Sequence, residues 1–323
     1  MITRRHFTAA AAAGATLPLI ATGARAQATK LRVSTIPIVD TAPLQAAIHK
    51  GFFAEQGLEV DTTPTSGGAV GLPALAAGQV QITFSNIVSI VLGAKQGLGF
   101  HVIAAGAGTG DNPPDLAGIV VKKGAAMKSG KDLVGKRIAV NTRNNVIWLY
   151  AREWVNVTGG EADKATYLEV PFPQMMDAVR GDRVDAAFVV EPFLSAGING
   201  GTAQLIGWPY FAVDKRIPIG MYAATADYIK AHPQVIERFT RAYNKGVDWI
   251  NQNKGSEEWV KIISGYTRLK PEQIKELNLP VFDKTIDPAR AEKVIDLMRK
   301  HKMIEGGFDT KGLFHKTASQ EVK

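Results

Sequence analysis

The chain has 323 residues, of which 46% are hydrophobic and 21% are charged, as in an ordinary globular protein. Its formal net charge is +8, but the basic residues are scattered and not interleaved with aromatic side chains, which argues against a nucleic-acid partner. The chain contains no cysteine, which excludes disulfides, thiolate metal sites and lipid attachment through a cysteine.

The first 26 residues have the layout of an export signal. The pair Arg4-Arg5 comes first, an apolar run follows over 9–21, and the small-residue motif Ala24-Arg25-Ala26 ends the segment. The apolar run is too short and too rich in alanine and glycine to cross a bilayer as a helix. The sequence therefore predicts a signal peptide cleaved near Ala26, and the arginine pair indicates the twin-arginine export route.

Cleavage would take three arginines from the 38 basic residues and leave 35 against 30 acidic ones, a net charge of +5. Beyond the leader we find no apolar run of about 18 residues or more, and there is no cysteine for a lipid anchor. An exported protein that lacks both attachments is retained only if a second membrane encloses it. We therefore expect the protein in the periplasm of a Gram-negative cell.

From Lys30 onward, short apolar strands alternate with helices. Strands are predicted at 31–36, 57–62, 80–84 and 100–105, with helices at 42–54, 70–77 and 86–95. This alternation is typical of a mostly parallel sheet that is covered by helices on both faces.

A second set of units follows a break at 109–115 that contains glycine, asparagine and two prolines. Strands are predicted at 116–121, 137–140, 166–170, 184–190 and 220–225, with helices at 144–157 and 173–179 and a helical chain after 232. The pattern predicts a two-lobed α/β fold in which each lobe is a mostly parallel sheet flanked by helices, with a helical C-terminal extension. Lobe one is expected to comprise 27–118 and 219–323, and lobe two 119–218. Two lobes joined by chain crossings form a hinge that closes on a ligand.

Candidate ligand contacts are the residues where strands end and helices begin, because open parallel sheets bind ligands in that crevice. Free N–H groups at helix N-termini also favour anions there. Each hydroxyl or amide at such a junction could equally be only a helix N-cap. The candidates are Asp40, Thr41, Ser66, Gly67, Gly68, Ser85, Asn86, Asn141, Thr142, Arg143, Asn144 and Glu191.

Arg143 is the candidate whose side chain would make the most specific contact with an anion. A guanidinium beside a helix N-terminus can bind a carboxylate or sulfonate through two parallel hydrogen bonds. The competing interpretation is a surface arginine that faces solvent. Four aromatic residues could flank a planar ligand or could simply pack: Trp208, Tyr210, Phe211 and Tyr222.

Motifs for covalent chemistry, metals or cofactors are not found in the sequence. The six histidines do not form an H-E-x-x-H motif or another helical metal pair. The sequence also contains neither a G-x-S-x-G nucleophile motif nor a phosphate-binding P-loop. We therefore expect no catalysis, no metal and no cofactor.

Three segments resemble one protein family. The segment 49–60 (HKGFFAEQGLEV) resembles the "GFF…GL-V" signature of substrate-binding proteins of nitrate, sulfonate and taurine ABC transporters, a family that includes thiamine-pyrimidine binders. The segment 75–82 (LAAGQVQI) resembles its "L-A-G-x-V-D-I" turn, with Gln81 where the family often has aspartate. The segment 184–193 (VDAAFVVEPF) resembles its second-lobe "V-D-A-A…E-P" segment.

The resemblance implies a type II periplasmic-binding-protein fold and a solute-binding component of an ABC importer. Its implied partners are a small organic solute, expected to be an anion such as a sulfonate or carboxylate, and a membrane permease with its cytoplasmic ATPase. A monomer is expected. The alternatives are a binder of a thiamine-pyrimidine-type heterocycle and an exported enzyme on the same scaffold. The thiamine-pyrimidine synthases of this fold use a cysteine-rich motif, which a chain without cysteine lacks.

Replacing Arg4-Arg5 by two lysines should block export of the folded precursor, because the twin-arginine receptor reads the guanidinium pair as an address. Cell fractionation and immunoblotting should then find uncleaved precursor in the cytoplasm. Arg25→Lys, which keeps the pair, is the control and should be exported. Normal periplasmic accumulation of the lysine variant would show that the general secretory route suffices.

Overall fold

The computed structural model describes residues 27–274 and 276–322, so the predicted signal peptide lies outside the described residues. Ten strands form two five-stranded sheets. The strands of the first sheet are β1 (Thr29–Thr35), β2 (Leu58–Pro64), β3 (Ile82–Asn86), β4 (Phe100–Ala105) and β10 (Gly220–Thr225). Those of the second are β5 (Ala117–Lys122), β6 (Arg137–Val140), β7 (Thr166–Glu169), β8 (Ala186–Val190) and β9 (Ala203–Gly207).

Each sheet contains one strand that runs against the other four. The first sheet has the order β2-β1-β3-β10-β4, and β10 pairs antiparallel with both β3 and β4. The second has the order β7-β6-β8-β5-β9, and β5 pairs antiparallel with both β8 and β9. The reversed strands are those that enter each lobe from the other one. The predicted two-lobed α/β fold with mostly parallel sheets is therefore confirmed.

Helices cover both faces of each sheet. The helices between the strands are α1 (Ala42–His49), α2 (Phe52–Glu55), α3 (Gly68–Ala76), α4 (Ile87–Lys95), α5 (Val146–Val157), α6 (Phe172–Arg180), α7 (Phe193–Asn199) and α8 (Pro209–Val213). Those after β10 are α9 (Ala226–Ala231), α10 (Pro233–Gln252), α11 (Glu257–Thr267), α12 (Pro271–Ile274), α13 (Pro288–Lys300), α14 (Thr310–Leu313) and α15 (Lys316–Ser319). Single 3₁₀ turns occupy Val39–Thr41, Gly130–Leu133 and Ala162–Lys164. Among the described residues, no helix has both the length and the apolar character needed to cross a membrane.

Central strands are buried along their whole length, because helices shield both of their faces. Every residue of β3 and of β8 is buried, whereas most residues of the edge strand β2 retain some exposure. The β3 sequence Ile-Thr-Phe-Ser-Asn thus carries two polar residues, Ser85 and Asn86, into a buried position at its carboxyl end.

Most of the C-terminal helices pack on lobe one. Helix α10 lies against α1 and buries an apolar face that includes Phe239, Tyr243 and Val247. The two helices approach closely at Gly246, where a Cβ would lie only 2.2 Å from the carbonyl oxygen of Pro43. In contrast, α12 also contacts α7 of lobe two, so the C-terminal extension touches both lobes.

Two regions differ from the sequence prediction. The helix predicted over 42–54 is two helices, α1 and α2, because the chain turns between them at Gly51, whose φ is +76°. The elements α7, β9 and α8 lie in a stretch where no element was predicted. Strand β9 is a half-exposed edge strand, so its sequence has no strong apolar signal. The exact lobe boundaries, 118/119 and 218/219, stay a prediction.

Three backbone segments meet where the lobes join. The first connection, which runs from β4 to β5, bonds to the second, which runs from α8 to β10. The bonds join Thr109 N to Ile217 O at 3.0 Å and Ile219 N to Ala107 O at 2.9 Å. The third segment bonds at Val281, which exchanges two hydrogen bonds of 3.0 and 2.9 Å with Gly108. The hinge between the lobes is therefore a short three-stranded ribbon.

Gly106→Ala should destabilise this ribbon, because a Cβ at Gly106 would lie 2.5 Å from the carbonyl oxygen of Gly220. We expect a loss of about 1–3 kcal/mol in the free energy of unfolding, the usual cost of overpacking. The control is Gly110→Ala in the same connection, where the nearest atom would be 3.8 Å away. Denaturant unfolding of both variants measures the difference, and equal stabilities would contradict the expectation.

Candidate functional site

A small cavity lies between the two lobes at the carboxyl ends of the parallel strands. Its volume is about 30 Å³, on the scale of a single water molecule. The lobes are therefore closed on each other. The polar side chains of the lining are Ser85 and Asn86 from lobe one and Asn141 and Asn145 from lobe two. The rest of the lining is apolar or aromatic, apart from the glycines Gly68 and Gly220.

Four helices begin at this cavity, two from each lobe. Gly68 and Phe172, the first residues of α3 and α6, line it directly. Helices α4 and α5 begin immediately after Asn86 and Asn145, which also line it. Each helix N-terminus carries partial positive charge and N–H groups without an intrahelical partner. These N-termini favour an anion in the cavity, although its lining contains no cationic side chain.

Asn86 joins the lobes through a single oxygen. Its Oδ1 accepts hydrogen bonds from Ser89 N of α4 at 3.0 Å and from Val146 N of α5 at 3.2 Å. One amide oxygen thus caps two helices that belong to different sheets. A second contact across the interface runs from Asn141 Nδ2 to Ser66 O at 3.5 Å.

Asn145 organises the side of the cavity formed by lobe two. Its Oδ1 accepts a hydrogen bond from Trp148 N at 3.0 Å, which caps α5. Its Nδ2 donates to Asn141 Oδ1 and to Thr142 Oγ1, both at 2.8 Å. The amide of Asn141 is therefore oriented by its neighbour, with its Nδ2 directed toward lobe one.

Ser85 provides an unpaired polar group in the cavity, as does the hydroxyl of Tyr210. Ser85 is 1% exposed, and its Oγ has no hydrogen-bond partner among the described residues. Buried hydroxyls are normally satisfied, so one that is unpaired and borders a cavity is available to a ligand. Gly68 makes room for it, since a Cβ there would lie 2.6 Å from both Ser85 Cα and Ser85 Oγ.

Three buried carboxyl groups lie near the cavity but outside its lining: Asp40, Asp115 and Glu191. Burial raises the pKa of Asp40 to about 7, and the nearby Asp115 and Glu191 add to the effect. Burial likewise raises the pKa of Asp115 to about 6. Glu191 accepts hydrogen bonds from Ser195 and from Asn278 N, yet burial still raises the pKa of Glu191.

The predicted site residues fall into three groups. Gly68, Ser85, Asn86 and Asn141 line the cavity. Ser66, Gly67 and Thr142 lie beside it at the lobe interface, where a Cβ on Gly67 would approach Asn141 Nδ2 to 2.8 Å and Thr142 Oγ1 to 3.1 Å. The remaining five do not line it: Asp40, Thr41, Arg143, Asn144 and Glu191.

Three of those five residues, Thr41, Arg143 and Asn144, lie in turns outside the cavity lining. Thr41 Oγ1 donates to the carbonyl oxygens of Ile36 and Ile38, both at 3.0 Å. Arg143 and Asn144 are exposed in the turn before α5, where Arg143 N donates to Glu169 Oε1 at 2.6 Å. The turn needs Asn144 at φ +55°, a conformation that asparagine tolerates better than most residues.

Sequence reasoning missed part of the lining. The helix predicted over 173–179 begins one residue earlier in the structure, at Phe172, with Pro173 in its first turn. Val146 and Ile147 lie in the first turn of α5, inside the helix predicted at 144–157, and are not among the predicted contacts. Of the four aromatic residues considered, Tyr210 lines the cavity. Tyr222 instead packs within lobe one, with its ring 5.2 Å from that of Phe84.

A buried ion cluster links α5 of lobe two to the C-terminal helix α13. Glu153 is 3% exposed and accepts hydrogen bonds from Lys300 Nζ at 2.5 Å and His301 Nε2 at 2.7 Å. Burial lowers the pKa of His301 despite this bond. Helix α13 packs on α4 of lobe one, so the cluster holds the closed arrangement at a distance from the cavity. Across residues 27–274 and 276–322, no group of three or more His, Asp or Glu side chains could hold a metal ion.

Comparison with known proteins gives a consistent group of relatives. The family described as "NMT1/THI5 like" matches residues 39–255. The chain is 24% identical over 260 residues to the "Nitrate/nitrite binding protein NrtA" of Nostoc sp., a match that covers 74% of this chain and 58% of that protein. It is also 24% identical over 293 residues to the "Taurine-binding periplasmic protein" of Escherichia coli, covering 82% and 87% of the two chains.

The fold is shared with solved structures. The alkanesulfonate-binding protein SsuA from Xanthomonas axonopodis pv. citri, bound to MOPS, superimposes with a TM-score of 0.76 at 15% identity, covering 90% of this chain and 99% of that one. At this identity the likeness concerns the fold alone. The chain spans little more than half of the nitrate/nitrite-binding relative but most of the taurine-binding one.

Glu153→Gln should weaken the cluster between α5 and α13, because Lys300 and His301 would lose their carboxylate. We expect a loss of about 1–3 kcal/mol in the free energy of unfolding, the cost of leaving buried polar groups poorly satisfied. The matched control is Glu161→Gln, whose ion pair with Lys164 is about 60% exposed on both sides. That change should cost less than about 1 kcal/mol in the same denaturant titration. Equal losses would mean that burial of the cluster contributes nothing.

Proposed function

Because the chain belongs to the NMT1/THI5-like family, we propose that it is the periplasmic solute-binding component of an ABC importer. It captures a small anionic solute between its lobes and delivers it to a membrane permease driven by a cytoplasmic ATPase. The named relatives bind nitrate or nitrite and taurine. The observation that carries the proposal is the unpaired Ser85 hydroxyl in a cavity where four helices begin.

Neutral groups would hold the anion. Lobe one offers the Ser85 hydroxyl and the N–H groups at the start of α3, and lobe two offers the Asn141 amide and the start of α5. Helix N-termini bind anions through oriented N–H groups and the macrodipole, and need no cationic side chain to do so. The same neutral lining suits a solute that must later be released.

The size of the cavity constrains the bound state. A volume of about 30 Å³ is far below the several hundred Å³ that drug-sized ligands occupy. An organic solute therefore requires the lobes to stand further apart than they do here, whereas a compact inorganic anion requires a smaller movement. Capture works by hinge closure, because a solute that contacts both lobes binds the closed state more tightly than the open one.

The predicted lobes fit this mechanism. We propose lobe one at 27–118 and 219–323, and lobe two at 119–218, so that the ribbon at Gly108 and Val281 lies at the pivot. We also propose that the chain is exported with the signal peptide described above and works as a monomer without cofactor, metal or covalent chemistry.

A thiamine-pyrimidine-type heterocycle is the second candidate, supported by the aromatic lining. Phe84, Phe172 and Tyr210 could contact the faces of a planar ring, and the amides of Asn86 and Asn141 could pair with ring nitrogens. An exported enzyme on the same scaffold is the third possibility, which turnover of a bound ligand would reveal.

Thermal-shift screening of the exported protein separates these candidates. The panel should contain nitrate, bicarbonate, taurine, alkanesulfonates, aromatic carboxylates and aminopyrimidines. Stabilisation by an anion supports the proposal, since a ligand that binds only the folded state raises the melting temperature. Stabilisation by pyrimidines alone would favour the second candidate, and the absence of any shift across the panel would contradict both.

Ser85→Ala should weaken binding of the anion that the screen selects, measured by titration calorimetry. Loss of one neutral hydrogen bond is worth about 0.5–1.5 kcal/mol, which corresponds to about two- to tenfold in affinity.

Arg143→Ala is the matching test of the guanidinium hypothesis. If Arg143 bound the anion, the loss of about 1.5–3 kcal/mol would weaken binding about ten- to hundredfold. We expect little change, because the residue is exposed and outside the cavity lining. A large loss for Arg143→Ala together with none for Ser85→Ala would overturn the neutral site in favour of the guanidinium.

A further inference from the structure

Three acidic residues from three different segments come together where the lobes meet. Asp40 lies in the 3₁₀ turn Val39–Thr41 of lobe one, Asp115 in the first connection, and Glu191 at the end of β8 in lobe two. They are 3%, 5% and 0% exposed, respectively. Val39 N donates to Glu191 O at 3.2 Å, so the turn that carries Asp40 touches lobe two directly.

Two of the three carboxyl groups are short of partners, whereas Glu191 accepts hydrogen bonds from Ser195 and from Asn278 N. Asp40 Oδ1 and Asp115 Oδ2 are buried and make no hydrogen bond, and none of the three acids forms an ion pair within the described part of the chain. Asp40 is faced by two further acids and by four tyrosines, and these groups come from six different segments. They are Asp115 of the first connection, Glu191 after β8, Tyr210 of α8, Tyr222 of β10, Tyr243 of α10 and Tyr266 of α11.

Closing the lobes therefore costs more when these acids are ionised. Burial removes water from each carboxylate, and charges brought together from both sides of the interface repel one another. The effect is visible in the closed structure, where the pKa of Asp40 is raised to about 7 and that of Asp115 to about 6. Opening would separate the turn at Asp40 from Glu191, because it breaks the hydrogen bond from Val39 N to Glu191 O.

We propose that lobe closure is coupled to protonation of the Asp40–Asp115–Glu191 cluster, so that the closed form is favoured at lower pH. The inference extends the proposed function by giving its hinge a proton-linked control. The closed form has the raised pKa values and so binds more protons than the open form. The stability that protonation gives to the closed form is fully present below about pH 4, the ordinary pKa of a carboxyl group. It is lost as the pH rises through 6 to 7, the raised pKa values of Asp115 and Asp40 in the closed form. Each coupled proton changes the ratio of closed to open form by up to about tenfold per pH unit.

The test measures the distance between the lobes without any solute, so it does not depend on identifying one. Because the chain has no cysteine, Thr63→Cys in lobe one and Thr166→Cys in lobe two introduce the only two labelling sites. Both positions are exposed on edge strands. Pulsed electron paramagnetic resonance of the spin-labelled exported protein should show the shorter, closed distance gaining population from pH 8 to pH 5.

Asp40→Asn supplies a neutral side chain of the same shape and should hold a larger closed fraction at pH 8, with a much smaller response to pH. Asp115→Asn should reduce the response in part, and provides a second reading if the first variant folds poorly. Asp61→Asn removes an exposed carboxylate on β2 and should respond as the parent protein does. A distance distribution that does not change between pH 5 and 8, or a full response in Asp40→Asn, would overturn the proposal. Either result would leave the proposed function to the solute screen, which is independent of it.

Discussion

The arrangement of the two lobes depends on the hydrogen bonds that Asn86 Oδ1 accepts from the N-termini of two helices. That oxygen sits between the first N–H groups of α4 and α5, at 3.0 Å from Ser89 N and 3.2 Å from Val146 N. Helices in a parallel α/β lobe start at the carboxyl ends of the strands, so two lobes that meet at those ends bring their helix N-termini together. Opposed N-termini repel unless an acceptor lies between them. Asn86 provides one acceptor, and an anionic solute would provide several more.

The same constraint explains why the lining is neutral while the charges lie behind it. A carboxylate directly between helix N-termini would occupy the place of the solute, and an ammonium or guanidinium there would add to the repulsion. The chain uses amides and a hydroxyl instead, and keeps Asp40 and Glu191 outside the lining. Their burial makes them costly to ionise, which limits the negative potential that they impose on the cavity.

Much of this arrangement could be predicted from the sequence, because periodicity and glycine placement are local signals. The strand-helix junctions at Ser85-Asn86 and at Gly68 were found from the end of an apolar run followed by polar or glycine residues. Arg143 and Asn145, two residues apart in one turn, show where such reasoning ends. Both follow β6, but the turn at Asn144 leaves Arg143 exposed and places Asn145 against the cavity. Which side of a turn faces the opposite lobe is decided by tertiary packing, and no single segment encodes it.

A neutral site also fits the cycle that a transport protein must complete. A charge-assisted hydrogen bond contributes about 1.5–3 kcal/mol and a neutral one about 0.5–1.5 kcal/mol. A micromolar affinity corresponds to about 8 kcal/mol, which several neutral contacts and helix termini can supply together. Because the contacts are divided between the lobes, opening the hinge removes half of them at once. Release then requires movement of the ribbon around Gly108 and Val281. It also requires separation of Glu153 from Lys300 and His301, but no ion pair to the solute itself has to break.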